Sequence, residues 1–338
     1  MGGEDELIAA IRRTLGPAAL GEGVELGIGD DAAVLAPPAG ERLVATVDML
    51  VEGQHFQRGG VAGSSLQDIG WRALAVNLSD VAAMGARPLW ALVSLGVPDG
   101  FPAESLEELY AGLSAAARRF GVAVVGGNLA RVAERLVVDL ALLGAAGCPV
   151  TRAGGRPGDL VCVTGTLGAA AAGLALTRAA EAVAVAGADA APLLLAQRRP
   201  EPRLLEGRTL AEFGSDGLRA MCDVSDGLTR DLERLGGVDL GAVLWRSRLP
   251  VRPEVRRVAE ALGTDPLAWV LGGGEDYEVL CLLAPEAVDA ARRALALRGG
   301  APLTVIGECV AEPGLRLATA PGERGLPLSP AGWDPFRR

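Results

Sequence analysis

The sequence predicts an α+β protein built as two domains, 1–150 and 151–338. Three observations lead there. At 338 residues the chain is too long for one small core and short enough for two. Its apolar residues fall at helical spacing in some segments and in short continuous runs in others, without the strict strand–helix alternation of a doubly wound sheet. Finally, the glycine- and arginine-rich stretch TRAGGRPGD (151–159) separates two such mixed regions and marks a boundary.

Taken in order, Leu7, Ile8, Ile11 and Leu15 lie on one face of an N-terminal helix. A short strand at Val24–Leu26 runs into the loop GIGDDAAVL (27–35), and LVATVD (43–48) reads as the next strand, followed by a loop with His55. From Ser64 to Gly85, Leu66, Ile69, Leu74, Leu78 and Val81 predict a long helix ending at glycine. A strand (89–96), a helix (103–120) and two strands (122–126 and 136–143) complete the first unit. In the second unit DLVCVTG (159–165) is a buried strand, followed by helices of alanine and leucine. QRRPEPR (197–203), with two prolines, is a loop, and MCDVSDGL (221–228) is a strand entering a turn and helix. WVLGGGEDYEVLCLL (269–283) passes from a glycine turn into a strand; a helix near 286–298 and a strand at 304–310 follow.

Composition excludes several kinds of function. No run of about 18 uninterrupted apolar residues occurs, so no membrane span is expected. Glu4, Asp5 and Glu6 stand where a signal peptide would be basic, and a cytoplasmic protein is expected. The net charge of −10, with no basic run, argues against a nucleic-acid partner. Five scattered cysteines without a CxxC pair predict buried free thiols. The chain contains no lysine, which removes the Walker A lysine, the protein-kinase strand lysine and lysine Schiff-base chemistry. His55 is the sole histidine, so a divalent ion would be held by oxygen, which points to magnesium or to manganese in its place.

The acids are placed unusually. Asp30, Asp31, Asp48, Asp80, Asp223, Asp226 and the Glu275–Asp276 pair stand at strand ends, beside glycines or on an apolar helix. Ionised carboxylates at such positions cost several kcal/mol unless compensated. If they converge they need cations, and magnesium ions bridging to ATP phosphates meet that need. Each motif also has an ordinary reading. GDD can be a solvated turn, Asp80 can end a helix, and Ser225 and Asp226 can cap one. His55 can be a surface loop residue, Trp333 a tail anchor, and Arg152 the partner of a surface acid.

The segments GIGDDAAVL, TVDMLVEGQHF, WRALAVNLSDVAAMGARP, VVGGN, TRAGGRPGD, VTGTLG, DVSDGL, GGGEDYEVL and GWDPF occur in the order found in thiamine-monophosphate kinases. The resemblance spans about Leu7 to Phe336. Its acidic motifs resemble the wider aminoimidazole-ribotide synthetase-like superfamily, which includes selenophosphate synthetase and a hydrogenase-maturation protein. The resemblance implies a two-domain α+β fold of that type, with N-terminal domains pairing into a barrel across a homodimer. The activity it implies is direct transfer of the ATP γ-phosphoryl group to thiamine monophosphate, giving thiamine diphosphate, with several magnesium ions linking ATP phosphates to acids of both domains. By the same resemblance Asp30, Asp31, Thr46, the carbonyl of Val47, Asp48, Asp80, Asp223 and Asp226 are metal positions. Tyr110, Gly127, Arg152 and Ser225 are ATP contacts, and His55, Glu275 and Trp333 are substrate contacts. Asn128, where the family often has aspartate, is both a metal and an ATP position, offering an amide oxygen with one negative charge fewer. Val47 stands where the family has a hydroxyl residue, and Pro335 where histidine is common.

Two other readings stay open on the residues. One is an ATP-dependent ligase or cyclase of the same superfamily, releasing ADP and phosphate. The other is a non-catalytic acidic protein that binds metal. Selenophosphate chemistry would want a reactive N-terminal cysteine, and none precedes Cys148.

Overall fold

The computed structural model describes residues 4–29, 32–59, 63–178, 180–237, 239–333 and 336. Asp30 and Asp31 lie outside the described residues, as does Pro335. The chain divides into two compact units, Met1–Val81 with Ala86–Gly147, and Ala82–Gly85 with Cys148–Arg338.

The first unit opens with α1 (Glu4–Leu15) and a two-stranded ribbon of β1 (Val24–Leu26) and β2 (Val34–Leu35). It continues through β3 (Arg42–Val51), α2 (Leu66–Ala83), β4 (Arg87–Pro98), α3 (Ala103–Phe120), β5 (Ala123–Val132) and β6 (Val137–Ala146). Strands β3 to β6 make one sheet in the order β3-β6-β4-β5, antiparallel except for the parallel pair β4–β5. Along β3 the side chains alternate. Val44, Thr46, Asp48 and Leu50 face inward, whereas Leu43, Val47 and Met49 are exposed. Helix α2 is buried almost all round from Arg72 to Ser79, as expected of a helix inside a domain rather than on its surface. It approaches α3 very closely. A Cβ on Gly70 would lie 2.0 Å from the Leu109 carbonyl oxygen, and one on Gly112 would lie 1.9 Å from that of Gln67.

The second unit contains β7 (Leu160–Thr164), α4 (Ala169–Thr177), α5 (Ala180–Ala186), α6 (Ala190–Arg198), α7 (Leu204–Ala211) and α8 (Gly214–Gly217). Next come β8 (Leu218–Asp223), α9 (Leu228–Arg234), β9 (Gly241–Trp245), α10 (Pro253–Ala261) and α11 (Pro266–Gly272). The unit closes with β10 (Val279–Leu283), α12 (Val288–Leu297), β11 (Leu303–Val310), β12 (Gly314–Ala318) and β13 (Leu326–Leu328). Its sheet has seven strands in the order β13-β12-β9-β11-β7-β10-β8, antiparallel except for β9–β12. Both faces of this sheet are covered. Val161, Val163, Ala220, Cys222, Leu280 and Leu282 pack on one side with Leu228 and Leu232 of α9 and Val270 of α11. Cys162, Met221, Val279, Cys281 and Leu283 pack on the other with Val288, Ala291 and Leu295 of α12. Burial on both faces is why these strands read as continuous apolar runs such as VCV and VLCLL rather than alternating ones.

Four of the five free cysteines are buried, and Cys148 is exposed. The strands at 241–245, 314–318 and 326–328 and the helices α7, α8, α10 and α11 were not legible in the sequence. Each is short, and β12 is defined by its parallel pairing with β9, a contact between segments about seventy residues apart. Strand β5 also runs past the expected end at 126, because its parallel pairing places Gly127 opposite Val93 and Asn128 opposite Ser94. No helix among the described residues is long and apolar enough to cross a membrane.

Candidate active site

In the first unit the inward face of β3 brings Thr46 toward the last turn of α2, where its hydroxyl donates to Asp80 Oδ2 at 2.5 Å. Asp48 lies two residues on, on the same face, and both acids are half-buried. Val47 points the other way and is 60% exposed, so its backbone carbonyl is what it shares with this region. On β5, Gly127 and Asn128 are exposed. Gly127 must be glycine for a local reason: a Cβ there would sit 1.9 Å from the Val93 carbonyl oxygen. Tyr110 is 4% exposed on the inner side of α3, and burial pushes its phenol pKa upward. It is a core residue in this fold.

His55 sits in the turn after β3. Its Nδ1 accepts the Val51 N–H at 3.0 Å, which leaves the neutral ring's proton on Nε2. The turn is clamped at its base by Glu52, which takes two hydrogen bonds from Arg58 and one from the Leu136 N–H. Burial alone would raise the Glu52 pKa, but Arg58 and the Leu136 N–H outweigh it and hold the carboxyl below its ordinary value. Glu52 and Arg58 escaped the sequence reading; the signal was an acid and a base flanking the single histidine.

In the second unit β8 delivers Asp223, 2% exposed, to the head of a turn that ends at Gly227. Asp226 is half-buried, and its Oδ2 accepts from Arg234 at 2.7 Å, with Arg230 at 3.6 Å. Ser225 and Asp226 do not cap α9 through their side chains. Their N–H groups, with that of Gly227, converge on Asp231 Oδ2 at 3.0, 3.0 and 3.1 Å. Burial and the neighbouring Asp226 charge push Asp231 up to about 6 against those three bonds. Asp231 was missed in the sequence; an acid in the first turn of a helix that follows a glycine turn was the available signal. Arg152 is exposed, and its backbone carbonyl accepts the Gly236 N–H.

The segment Gly272–Glu278 runs alongside, with Glu275 and Tyr277 both in the left-handed region at φ 60° and 51°. Its acids divide into separate roles. Asp276 accepts the N–H groups of Gly168 and Ala170 at the start of α4, and burial pushes it up to about 7. Glu278 is buried in a fork from Arg203 at 2.6 and 2.7 Å and accepts the Thr164 hydroxyl at 2.8 Å. Just before those two anchoring acids, Glu275 donates its own N–H to the Ser225 carbonyl at 2.8 Å. The C-terminal segment joins the same turn. Trp333 donates its backbone N–H to the Asp226 carbonyl at 2.8 Å and is 50% exposed, and the Thr229 hydroxyl donates to the Ala331 carbonyl and accepts the Ala331 N–H.

Two family models match this chain, AIR synthase related protein N-terminal domain over residues 29–146 and C-terminal domain over 156–319. The thiamine-monophosphate kinase of Escherichia coli strain K12 is 38% identical over 294 residues, covering 86% of this chain and 85% of that protein. The chain belongs to the thiamine-monophosphate kinase family. Among solved structures, the thiamine-monophosphate kinase of Stenotrophomonas maltophilia superposes with TM-score 0.79 at 36% identity, covering 94% of this chain and 97% of that one. A structure described as AaThiL complexed with AMPPCP and TMP superposes with TM-score 0.75 at 28% identity, covering 99% and 97%. The two-domain α+β fold is thus that of the AIR synthase related proteins. The enzyme is a phosphotransferase that converts thiamine monophosphate to thiamine diphosphate with ATP.

Proposed function

We propose that this kinase transfers the ATP γ-phosphoryl group directly to thiamine monophosphate with magnesium assistance and without a general base. The observation that carries this is the Thr46–Asp80 contact, a carboxylate and a hydroxyl drawn together at 2.5 Å on the half-buried side of β3. A carboxylate beside a hydroxyl suits magnesium, which keeps its waters and binds through one or two carboxylates plus substrate phosphates. Asp30, Asp31, Thr46, the Val47 carbonyl, Asp48, Asp80 and Asn128 of the first unit would hold such ions, and Asp223 and Asp226 would do so in the second. When bound, the ions neutralise phosphate charge and lower the repulsion between the two anionic reactants.

The remaining residues bind and orient. An attacking phosphate is already an anion, so no proton need be removed from it, which suits a chain with one histidine. His55, its Nε2 protonated, donates toward the phosphate of thiamine monophosphate. Glu275 complements the cationic thiazolium or the aminopyrimidine, and Trp333 stacks on a ring. Gly127, exposed on β5, allows close approach of ATP to the backbone, and Ser225 and Arg152 contact its phosphates, the arginine through a planar fork. The exposed apolar row of Leu43, Val47 and Met49 supports a homodimer in which first units pair their sheets into a barrel. Five free cysteines support a reducing, cytoplasmic compartment.

The test is product analysis. Pure protein with ATP, magnesium and thiamine monophosphate should form ADP and thiamine diphosphate in equal amounts, and chelation should stop both. Phosphate released without diphosphate would overturn the direct-transfer reading.

A further inference from the structure

The turn from Val224 to Gly227 uses every one of its backbone polar groups. Val224 donates to the Glu278 carbonyl and accepts from the Tyr277 N–H, both at 2.9 Å. The Ser225 carbonyl accepts the Glu275 N–H, and the Asp226 carbonyl accepts the Trp333 N–H, both at 2.8 Å. The Gly227 carbonyl accepts the Asp231 N–H at 2.9 Å. The three N–H groups left over, those of Ser225, Asp226 and Gly227, all go to one oxygen, Asp231 Oδ2. The Asp231 side chain is 5% exposed, so water is a poor substitute for it. Its other oxygen stands 3.7 Å from Arg234 Nη1, the same nitrogen that donates to Asp226 Oδ2 at 2.7 Å.

We infer that Asp231 is a positioning residue for phosphoryl transfer: its single carboxylate oxygen sets the turn that aims the Asp226 carboxylate and, through the Ser225 and Asp226 carbonyls, seats Glu275 and Trp333. The inference rests on the reading of those three as ligand contacts. Asp231 touches none of the reactants under that reading. It fixes the peptide planes of three consecutive residues, and the orientation of a peptide plane sets the direction of its carbonyl. Tilting the Ser225 or Asp226 plane therefore moves a substrate contact and a metal position together. Arg234 extends the control to the Asp226 side chain, since one guanidinium nitrogen is shared between Asp231 and Asp226.

The variants Asp231→Ala, Asp231→Asn and Asp226→Asn separate the possibilities in the full-length enzyme, with kcat and both KM values measured beside circular dichroism and thermal unfolding. Asp231→Ala removes the acceptor, and misplacement of this kind should lower kcat/KM for thiamine monophosphate about 100-fold. Asp231→Asn keeps one accepting oxygen but loses the charge facing Arg234, so it should fold and raise KM for thiamine monophosphate about three- to tenfold, more than KM for ATP. If Asp231→Ala fails to fold, the asparagine variant decides alone. Parental kcat and KM values in a folded Asp231→Asn would overturn the inference, even with a lowered Tm. Loss of activity in Asp226→Asn together with parental kinetics in Asp231→Asn sinks the positioning role and leaves the ligand assignment standing. Parental activity in Asp226→Asn with a raised KM in Asp231→Asn removes Asp226 from the ligand assignment and leaves only the seating of Glu275 and Trp333 by Asp231 standing.

Discussion

Asp80 and Glu278 show how differently two carboxylates of one chain can be used. Asp80 is half-buried at the end of an apolar helix and accepts the Thr46 hydroxyl. Replacing it by asparagine preserves shape and an acceptor for Thr46 while removing its charge. Turnover should fall about 10²–10³-fold with circular dichroism unchanged, as when one transition-state electrostatic contact is lost. Near-parental formation of thiamine diphosphate by Asp80→Asn would show that the acid is structural. Glu278 is instead saturated by Arg203, Thr164 and the Thr166 N–H. Arg203→Ala leaves that buried charge uncompensated and should cost about 3–5 kcal/mol in denaturant unfolding. A midpoint within error of the parent would refute this.

The Gly272–Glu278 segment shows what an element gains from alternating anchors. It returns from α11 to β10 through two left-handed residues, and Asp276 pins it to the start of α4. Burial moves Asp276 from its ordinary 3.8 up to about 7, so the folded state holds a proton that the unfolded state has released over that window. Folding stability should therefore fall as pH rises from about 4 to about 7, and Asp231 adds a slope of the same sign. Asp276→Asn cannot ionise and should flatten the dependence, which Tm values at about pH 5 and about pH 8 would report. An unchanged slope in the variant would mean that other groups carry it. The segment was legible as a glycine turn entering a strand, but not the split of its acids into anchors and a contact. That split depends on Gly168, Ala170 and Arg203, which lie about 70 to 110 residues away in sequence.

At the scale of the molecule, the two sheets differ in how they are covered. The seven-stranded sheet is packed on both faces, whereas β3 leaves Leu43, Val47 and Met49 exposed. An apolar row of this kind on a sheet edge invites a second copy. Val47→Asp alters no packed core position and should leave the first unit folded while converting dimers to monomers in analytical ultracentrifugation. A parent protein that sediments as a monomer, or a variant that stays dimeric, would remove the dimer from the proposal.

The sequence by itself determined the α+β class and the positions of the long helices and central strands, and it set the expectation that a divalent ion would be held by oxygen. These follow from local periodicity and from residues that are present or missing, such as the single histidine and the absent lysine. Tertiary structure alone decided which acids stand with which partners. It matched Asp80 to Thr46, set Asp231 beneath the Asp226 turn, strapped Trp333 to that turn and buried Tyr110. The physical reason is that a carboxylate's role depends on the charges, N–H groups and water around it, and folding supplies those neighbours from distant parts of the chain.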